Sequence, residues 1–143
     1  MKKIMILLLG VLISSCSCKK NSSDKASVGS IEGNWELNYI SGPKIAFDGL
    51  YPNAKPTINF NINETKVTGK NSCNNYGGNF SLDGVTLDID EKTLFSTKMF
   101  CEGAGEQIFM DSLGKINAYS VSEDGSTLTL STGKNAVMRF RKI

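Results

Sequence analysis

Short segments in which apolar and polar residues alternate make up most of this chain from Ile31 onward. Trp35, Leu37 and Tyr39 alternate with polar neighbours in the first segment. The same pattern recurs in segments centred on Ile58, Phe60 and Ile62, on Val85, Leu87 and Ile89, on Leu128 and Leu130, and on Ala136, Met138 and Phe140. Since successive side chains of a β-strand point to opposite faces, each segment directs its apolar residues to one side of a sheet. The pattern predicts a mostly β domain.

Turn residues separate these segments, and Asp83-Gly84 and Asp124-Gly125 are typical hairpin turns. The spacing gives about eight or nine strands of roughly four to eight residues. An open sheet of that size would leave two unpaired edges, whereas a closed barrel has none. We therefore predict a single small antiparallel β-barrel.

Two segments depart from this alternation. In residues 103–115 and just beyond, Phe109, Leu113 and Ile116 follow helical spacing, which predicts one amphipathic helix of about three turns. The residues expected to face solvent there are Glu106, Asp111 and Lys115. Residues 41–55 form the longest predicted loop, and its apolar residues either join the core or form a contact surface. These residues are Phe47, Leu50 and Tyr51.

The N-terminus has the pattern of an export signal. Lys2 and Lys3 precede a ten-residue apolar run, residues 4–13, which would rise only about 15 Å as a helix. That is half of a bilayer's hydrocarbon core, so residues 1–15 are interpreted as a signal peptide and not as a membrane span.

The end of this signal, Ile13-Ser14-Ser15-Cys16, resembles the lipobox of bacterial lipoproteins. The resemblance implies that Cys16 carries the lipid and anchors the chain to a membrane, with Cys18 the poorer candidate. Residues 16–30 are rich in Ser, Lys, Gly and Asn, and are predicted to be a flexible tether. No acidic run follows Cys16, and we expect an outer-membrane protein that faces the periplasm.

Composition excludes several classes of function. The chain has no histidine, which removes Ser-His-Asp and Cys-His nucleophile systems and histidine-ligated zinc. Its 16 basic and 14 acidic residues become 14 and 14 once Lys2 and Lys3 leave with the signal peptide. A neutral chain lacks the basic surface that nucleic-acid binding needs. We expect no enzyme activity, no catalytic residues, no cofactor and no nucleic-acid partner.

Two motifs follow each other in the body of the chain. The first is a glycine, a Cys-Asn pair, and alternating aromatic and glycine positions: Gly69, Cys73, Asn74, Tyr76, Gly78 and Phe80. The second comes before the predicted helix and comprises Thr97, Met99 and Cys101. In this order they resemble the two signatures of the META domain family, the HslJ type of small heat-shock-linked bacterial envelope protein. The resemblance covers residues 31–143, with Ser72 standing where the family often has glycine.

The resemblance implies an antiparallel fold with a lipocalin-like barrel layout and one helix, a link to envelope stress, and no established catalytic activity. Cysteine usage adds a prediction. With Cys16 lipidated and Cys18 in the tether, Cys73 and Cys101 are the two cysteines left in an exported domain, and a disulfide between them is expected. The alternative is two packed free thiols. No metal site is expected, because two thiolates without histidine do not complete a zinc shell.

The polar cluster Asn74, Tyr76, Gly77 and Gly78 has two interpretations, the floor of a polar pocket or a tight turn with the tyrosine ring inside. We favour the turn, with Asn and Gly at positive φ. Asp88 and Asp90 lie on a predicted outer strand face, where solvated carboxylates are ordinary.

Three functions fit these features. The leading one is a lipid-anchored envelope protein that acts by binding, in envelope maintenance or stress response. The second is a carrier of a small apolar ligand inside the barrel, and the third is an inhibitor of a secreted hydrolase. An inhibitor would insert residues 42–55 or the Met99-Phe100 corner, so exposure of Phe47, Tyr51 or Phe100 would favour it.

Overall fold

The computed structural model describes residues 29–143. The predicted signal peptide, the Cys16 lipid site and all but the last two residues of the predicted tether lie outside the described residues.

Nine strands and two short helices make up the described part of the chain. In chain order they are β1 (Gly33–Ile40), α1 (Phe47–Leu50), β2 (Thr57–Asn61), β3 (Lys66–Lys70), β4 (Asn75–Asp83), β5 (Thr86–Ile89), β6 (Phe95–Ser96), α2 (Gly105–Leu113), β7 (Ala118–Val121), β8 (Thr127–Thr132) and β9 (Asn135–Lys142). Neither helix has the length and apolar character needed to cross a membrane.

The strands form one antiparallel sheet that closes on itself. Its order is β3-β2-β1-β9-β8-β7-β5-β4, and β4 pairs with β3 to complete an eight-stranded barrel. The ninth strand, β6, pairs with β4 beside β5 and lies at the end of the strand order. The predicted antiparallel barrel is confirmed, and its neighbours follow chain order as in a lipocalin-like layout.

Aromatic and aliphatic side chains fill the barrel interior. The completely or almost completely buried residues include Trp35, Leu37, Ile58, Phe60, Leu87, Phe109, Leu113, Leu128, Leu130, Met138 and Phe140. The Phe60 ring packs edge-on against Phe80, with 5.2 Å between centroids. In the described part of the chain, the core residues lie between Ile31 and Phe140, inside a sheet that runs from Gly33 to Lys142 and closes on itself. Residues 29–143 thus contain both a closed barrel and the core that fills it.

Three residues assigned to the inner face are exposed instead. Tyr39 is 39% exposed because the pairing of β1 with β9 shifts register between Leu37 and Tyr39, which turns the later side chain outward. Ile62 and Val85 lie just outside β2 and β5, in the connecting turns, and both are exposed. The alternation holds within regular strands and fails at a bulge or a turn.

The predicted helix corresponds to α2, whose Phe109 and Leu113 are fully buried. A second helix, α1, forms a single turn inside the predicted loop of residues 41–55. Leu50 and Tyr51 are buried there, so these two apolar residues belong to the core. The Tyr51 hydroxyl donates to the Gly105 carbonyl over 3.1 Å, which joins this segment to the start of α2.

The two ends of the barrel differ. At one end β1 begins, β9 ends, and Gly29 lies close enough to Val121 that a Cβ there would contact it at 2.9 Å. At the other end lies the turn between β3 and β4, and the start of β4 pairs there with β6. The described chain enters at the first end, and the two sequence motifs meet at the second.

Candidate binding site

A tight turn of four residues, 71–74, leads from β3 into β4. The Asn71 N–H donates to the Asn74 carbonyl over 3.0 Å, and the Asn71 side-chain oxygen accepts the Asn74 N–H over 2.8 Å. Ser72 adopts φ +97°, a left-handed conformation that favours glycine. The positive φ of this turn therefore belongs to Ser72, and the prediction of positive φ at the Asn and Gly residues of the cluster was wrong.

The buried side chain of Asn74 holds the segment that contains the second motif. Its oxygen accepts the Thr97 hydroxyl over 2.7 Å and the Met99 N–H over 2.8 Å. Its nitrogen donates to the Met99 carbonyl over 3.1 Å. A carboxamide both donates and accepts, so one side chain satisfies both peptide groups of Met99.

Glu106, in the first turn of α2, completes this network. One carboxylate oxygen accepts the Asn74 amide over 2.9 Å, and the other accepts the Asn71 amide over 3.1 Å. A carboxylate is also favoured near a helix N-terminus. The expectation that Glu106 simply faces solvent was wrong, since it binds the turn that carries the first motif.

The disulfide between Cys73 and Cys101 is confirmed, with an S–S distance of 2.00 Å and 6.1 Å between Cα atoms. It ties the 71–74 turn to residues 97–103, which we call the Phe100 loop. Glu106 has an oxygen within 4.8 Å of both sulfurs. Sulfurs bonded to each other are not thiolate ligands, so this group is not a metal site in the oxidised protein.

The remaining residues of the first motif lie where neighbouring segments of the chain pack closely against β3 and β4. The Tyr76 hydroxyl donates to the Thr57 carbonyl over 3.0 Å, its ring lies 5.5 Å from that of Phe109, and burial raises its pKa well above the usual value. A Cβ at Gly69 would meet the Thr57 oxygen at 2.1 Å. A Cβ at Gly78 would meet the Leu94 side chain at 3.2 Å. Close contact, and not positive φ, therefore requires glycine at Gly69 and leaves little room for a Cβ at Gly78.

The structure brings the motif residues together at one end of the barrel. The first motif contributes its turn and the start of β4, and the second contributes the Phe100 loop. The motif residues so placed are Gly69, Cys73, Asn74, Tyr76, Gly78, Thr97, Met99 and Cys101. Asn71 and Glu106 were not predicted as site residues from the sequence. The one signal available for Glu106 was that its acidic side chain lies in the first turn of the predicted helix.

An open groove of about 1080 Å³ runs beside this network, between residues 94–100 and one side of α2. We call it the Phe100 groove. Three large apolar side chains along it are exposed: Phe100 by 96%, Phe95 by 63% and Met99 by 59%. Met110 lines the helix side. Contiguous exposed apolar residues mark interaction sites more often than ordinary surface.

Charged residues surround these apolar side chains. Glu91, Glu106 and Asp111 line the groove together with Lys98 and Lys115. The acidic groups lie mainly on and beside α2, where Lys115 also lies, and Lys98 belongs to the opposite wall. An apolar surface with a charged rim is suited to binding, and no histidine is available to it as a general base.

The chain resembles known proteins in sequence and in fold. A family model, the META domain, matches residues 29–143. No significant match to the chain was found among curated proteins.

Solved structures share the fold at low sequence identity. An NMR structure of a protein from Burkholderia xenovorans aligns with a TM-score of 0.60 and 23% identity, covering 78% of this chain and 82% of that one. A crystal structure of a DUF4847 family protein from Bacteroides vulgatus ATCC 8482 aligns with a TM-score of 0.55 and 16% identity, covering 78% and 93%. The family match spans the entire barrel and both motifs, and the chain belongs to the META domain family.

Proposed function

We propose that this protein is a lipid-anchored, non-catalytic component of the bacterial cell envelope that binds another protein through the Phe100 groove, in envelope maintenance or stress response. The observation that carries the proposal is Phe100, which is 96% exposed on a loop held by a disulfide and by Asn74.

A fixed, exposed aromatic side chain is what a binding site needs. Large aromatic residues supply much of the binding energy at protein interfaces when a partner buries them. A loop that is already ordered loses little conformational entropy on binding. Here the Met99 backbone is bonded on both sides to Asn74, and Cys101 is tied to Cys73. Phe100 lies between these two attachments.

The proposed anchor agrees with the position of the groove. Gly29 lies beside Val121 at one end of the barrel, and the Phe100 loop is at the other. The thirteen steps from Cys16 to Gly29 span at most about 45 Å. An anchored domain would thus stay within about 45 Å of the membrane and be attached at the end opposite to the Phe100 loop, which leaves the groove accessible to proteins of the periplasm.

The packing of the barrel interior favours the Phe100 groove as the binding site over a ligand cavity inside the barrel. Trp35, Phe60 and Phe109 are fully buried, and the Phe109 and Phe140 rings lie 6.5 Å apart. An apolar ligand would have to displace such side chains, which interior packing does not readily allow.

Inhibition of a secreted hydrolase is a second candidate function. Of the two segments that could insert into a hydrolase, the Met99-Phe100 corner is exposed. Phe100 extends into solvent, whereas Tyr51 in the other proposed segment is buried. An inhibitor would use the same loop, so the two functions differ in the partner and not in the site.

Photo-crosslinking tests the binding site in cells. A photoreactive phenylalanine analogue at Phe100 or Phe95 should give one discrete protein adduct, identified by mass spectrometry. Val85 is the matched control, since it is exposed but does not line the groove. An adduct at Val85 as strong as at Phe100, or none at either groove position, would overturn the proposed site. A hydrolase as the captured protein would favour the inhibitor.

The anchor is tested separately. Cys16→Ser should abolish incorporation of labelled palmitate and release the protein from membranes, whereas Cys18→Ser should change neither. Incorporation that persists in Cys16→Ser would contradict the anchor without affecting the groove.

A further inference from the structure

The strand β6, which forms one wall of the Phe100 groove, has a free edge. Phe95 pairs with Gly77, Ser96 pairs with Tyr76, and the Thr97 N–H donates to the Asn75 carbonyl over 2.9 Å. In an antiparallel ladder, alternate residues direct their peptide groups to opposite edges. Phe95 and Thr97 therefore bond to β4, and the peptide groups of Ser96 point away from it.

Lys98 follows β6, between Thr97, which bonds to Asn75, and Met99, which bonds to Asn74, so we expect its peptide groups to be directed outward as well. In the strand order β6 is terminal, and among residues 29–143 no strand pairs with its outer edge. Ser96 and Lys98 both line the groove. Two residues thus present N–H donors and carbonyl acceptors to an open space with α2 on its far side.

We infer that the partner enters this groove as an extended peptide segment and adds a strand to the outer edge of β6. This inference rests on the proposed function and specifies the partner of that site. Strand addition gives affinity through main-chain hydrogen bonds, and alternate side chains give specificity. One set of peptide side chains would pack against Phe95, Met99 and Met110.

The charged residues that line the groove indicate which charge the peptide carries. Three carboxylates, those of Glu91, Glu106 and Asp111, line the groove against two lysines. Since opposite charges across an interface favour the correct partner, the peptide is an apolar one with at least one Lys or Arg directed toward α2.

Other occupants fit less well. An acyl chain would bury the Ser96 and Lys98 peptide groups without offering them hydrogen bonds, which is costly. A second copy pairing through β6 would gain only a few hydrogen bonds, since the strand has two residues. Short edge strands are a common protection against such self-pairing.

A proline substitution at Ser96 tests the role of the free edge of β6 separately from that of the groove side chains. The Ser96 N–H is not part of the β4 ladder, and proline is tolerated where an edge N–H faces outward. Ser96→Pro removes this donor and also the hydroxyl, which accepts from Asn71 over 3.2 Å. Ser96→Ala removes only the hydroxyl, so it is the matched control.

The probe is a displayed library of random dodecapeptides selected on residues 29–143 with the disulfide formed. Recovered peptides should alternate apolar residues and carry a basic one. Ser96→Pro should bind a selected peptide at least tenfold more weakly than Ser96→Ala. Equal affinities, or failure to select any groove-binding peptide, would overturn strand addition.

Amide exchange of the wild-type domain gives a second measurement that does not depend on the proline variant folding. On adding the selected peptide, the Ser96 and Lys98 amides should gain protection, while Phe95 and Thr97, already bonded to β4, should change little. Binding without that alternation would overturn strand addition but leave the proposed function intact. Crosslinking at Phe100 that captures only a second copy would instead establish self-association.

Discussion

The Asn74 side-chain amide donates to a Glu106 carboxylate oxygen over 2.9 Å, and this hydrogen bond joins the turn before β4 to the first turn of α2. Both residues are also bonded to Asn71. Because Asn74 holds the Met99 backbone as well, one partly buried hydrogen-bond network connects the disulfide turn, the Phe100 loop and the helix wall of the groove. The shape of the groove depends on this network.

Removing the Asn74 side chain should destabilise the domain. Asn74→Ala leaves the Met99 peptide groups and a Glu106 oxygen without their partner, which we expect to lower the free energy of unfolding by about 3 kcal/mol. Urea denaturation followed by tryptophan fluorescence measures this. Asn75→Ala is the control, since that side chain is exposed, and its effect should stay within about 0.5 kcal/mol. Equal effects of the two variants would contradict the role given to Asn74.

Loss of the disulfide should be similarly costly. Cys73 and Cys101 are separated by 28 positions, so the bond closes a loop that restricts the unfolded chain by about 3.5 kcal/mol in the loop-entropy model. The double variant Cys73→Ser, Cys101→Ser should lose about that much in urea denaturation. A reducing agent should lower the wild type to the same value and leave the variant unchanged. A wild type indifferent to reduction would refute the prediction.

Local patterns in the sequence predicted most of the fold. Period-two alternation identified the barrel strands, and the spacing of Phe109 and Leu113 identified α2. The inward assignment of Tyr39 failed because a β-bulge has no clear signal in the alternation. The helix α1 was missed because its four residues are too few to show a helical period.

The candidate site was predicted only in part. The disulfide between Cys73 and Cys101 could be predicted because Cys16 was assigned to the lipid and Cys18 to the tether, which left two cysteines in the domain. The bond between Asn71 and Glu106 joins residues 35 positions apart. It depends on how α2 packs against the β3–β4 turn, which no short sequence window contains. The free edge of β6 likewise follows from strand register.

Relieving the strained turn should stabilise the protein. Ser72 adopts φ +97°, where a side chain is strained and glycine is not. Ser72→Gly should therefore raise the free energy of unfolding by about 1 kcal/mol in urea denaturation. Ser72→Ala retains the Cβ and the strain, and should remain within about 0.5 kcal/mol of the wild type. A loss of stability in the glycine variant would contradict this prediction, because relief of strain would then be smaller than the entropy that glycine adds to the unfolded chain.

The hairpin between β7 and β8 should become less stable in acid. Hydrogen bonds from the Ser122 hydroxyl, over 2.5 Å, and from the Ser126 hydroxyl and N–H lower the pKa of Asp124 from 3.8 to about 2. A lowered pKa in the folded state means that the charged form stabilises the hairpin. That contribution is fully present above pH 3.8 and is lost as the pH falls toward 2.

Carboxyl NMR titration measures this pKa directly. In Ser122→Ala, Ser126→Ala both hydroxyl donors are gone, so the Asp124 midpoint should move from about 2 toward 3.8, with the backbone N–H groups of Ser126 and Asp124 accounting for the remaining lowering. Asp124→Asn supplies the stability control, because it should remove this group's share of the acid sensitivity between pH 3.8 and 2. An Asp124 midpoint unchanged by removal of both hydroxyls would mean that they do not stabilise the carboxylate.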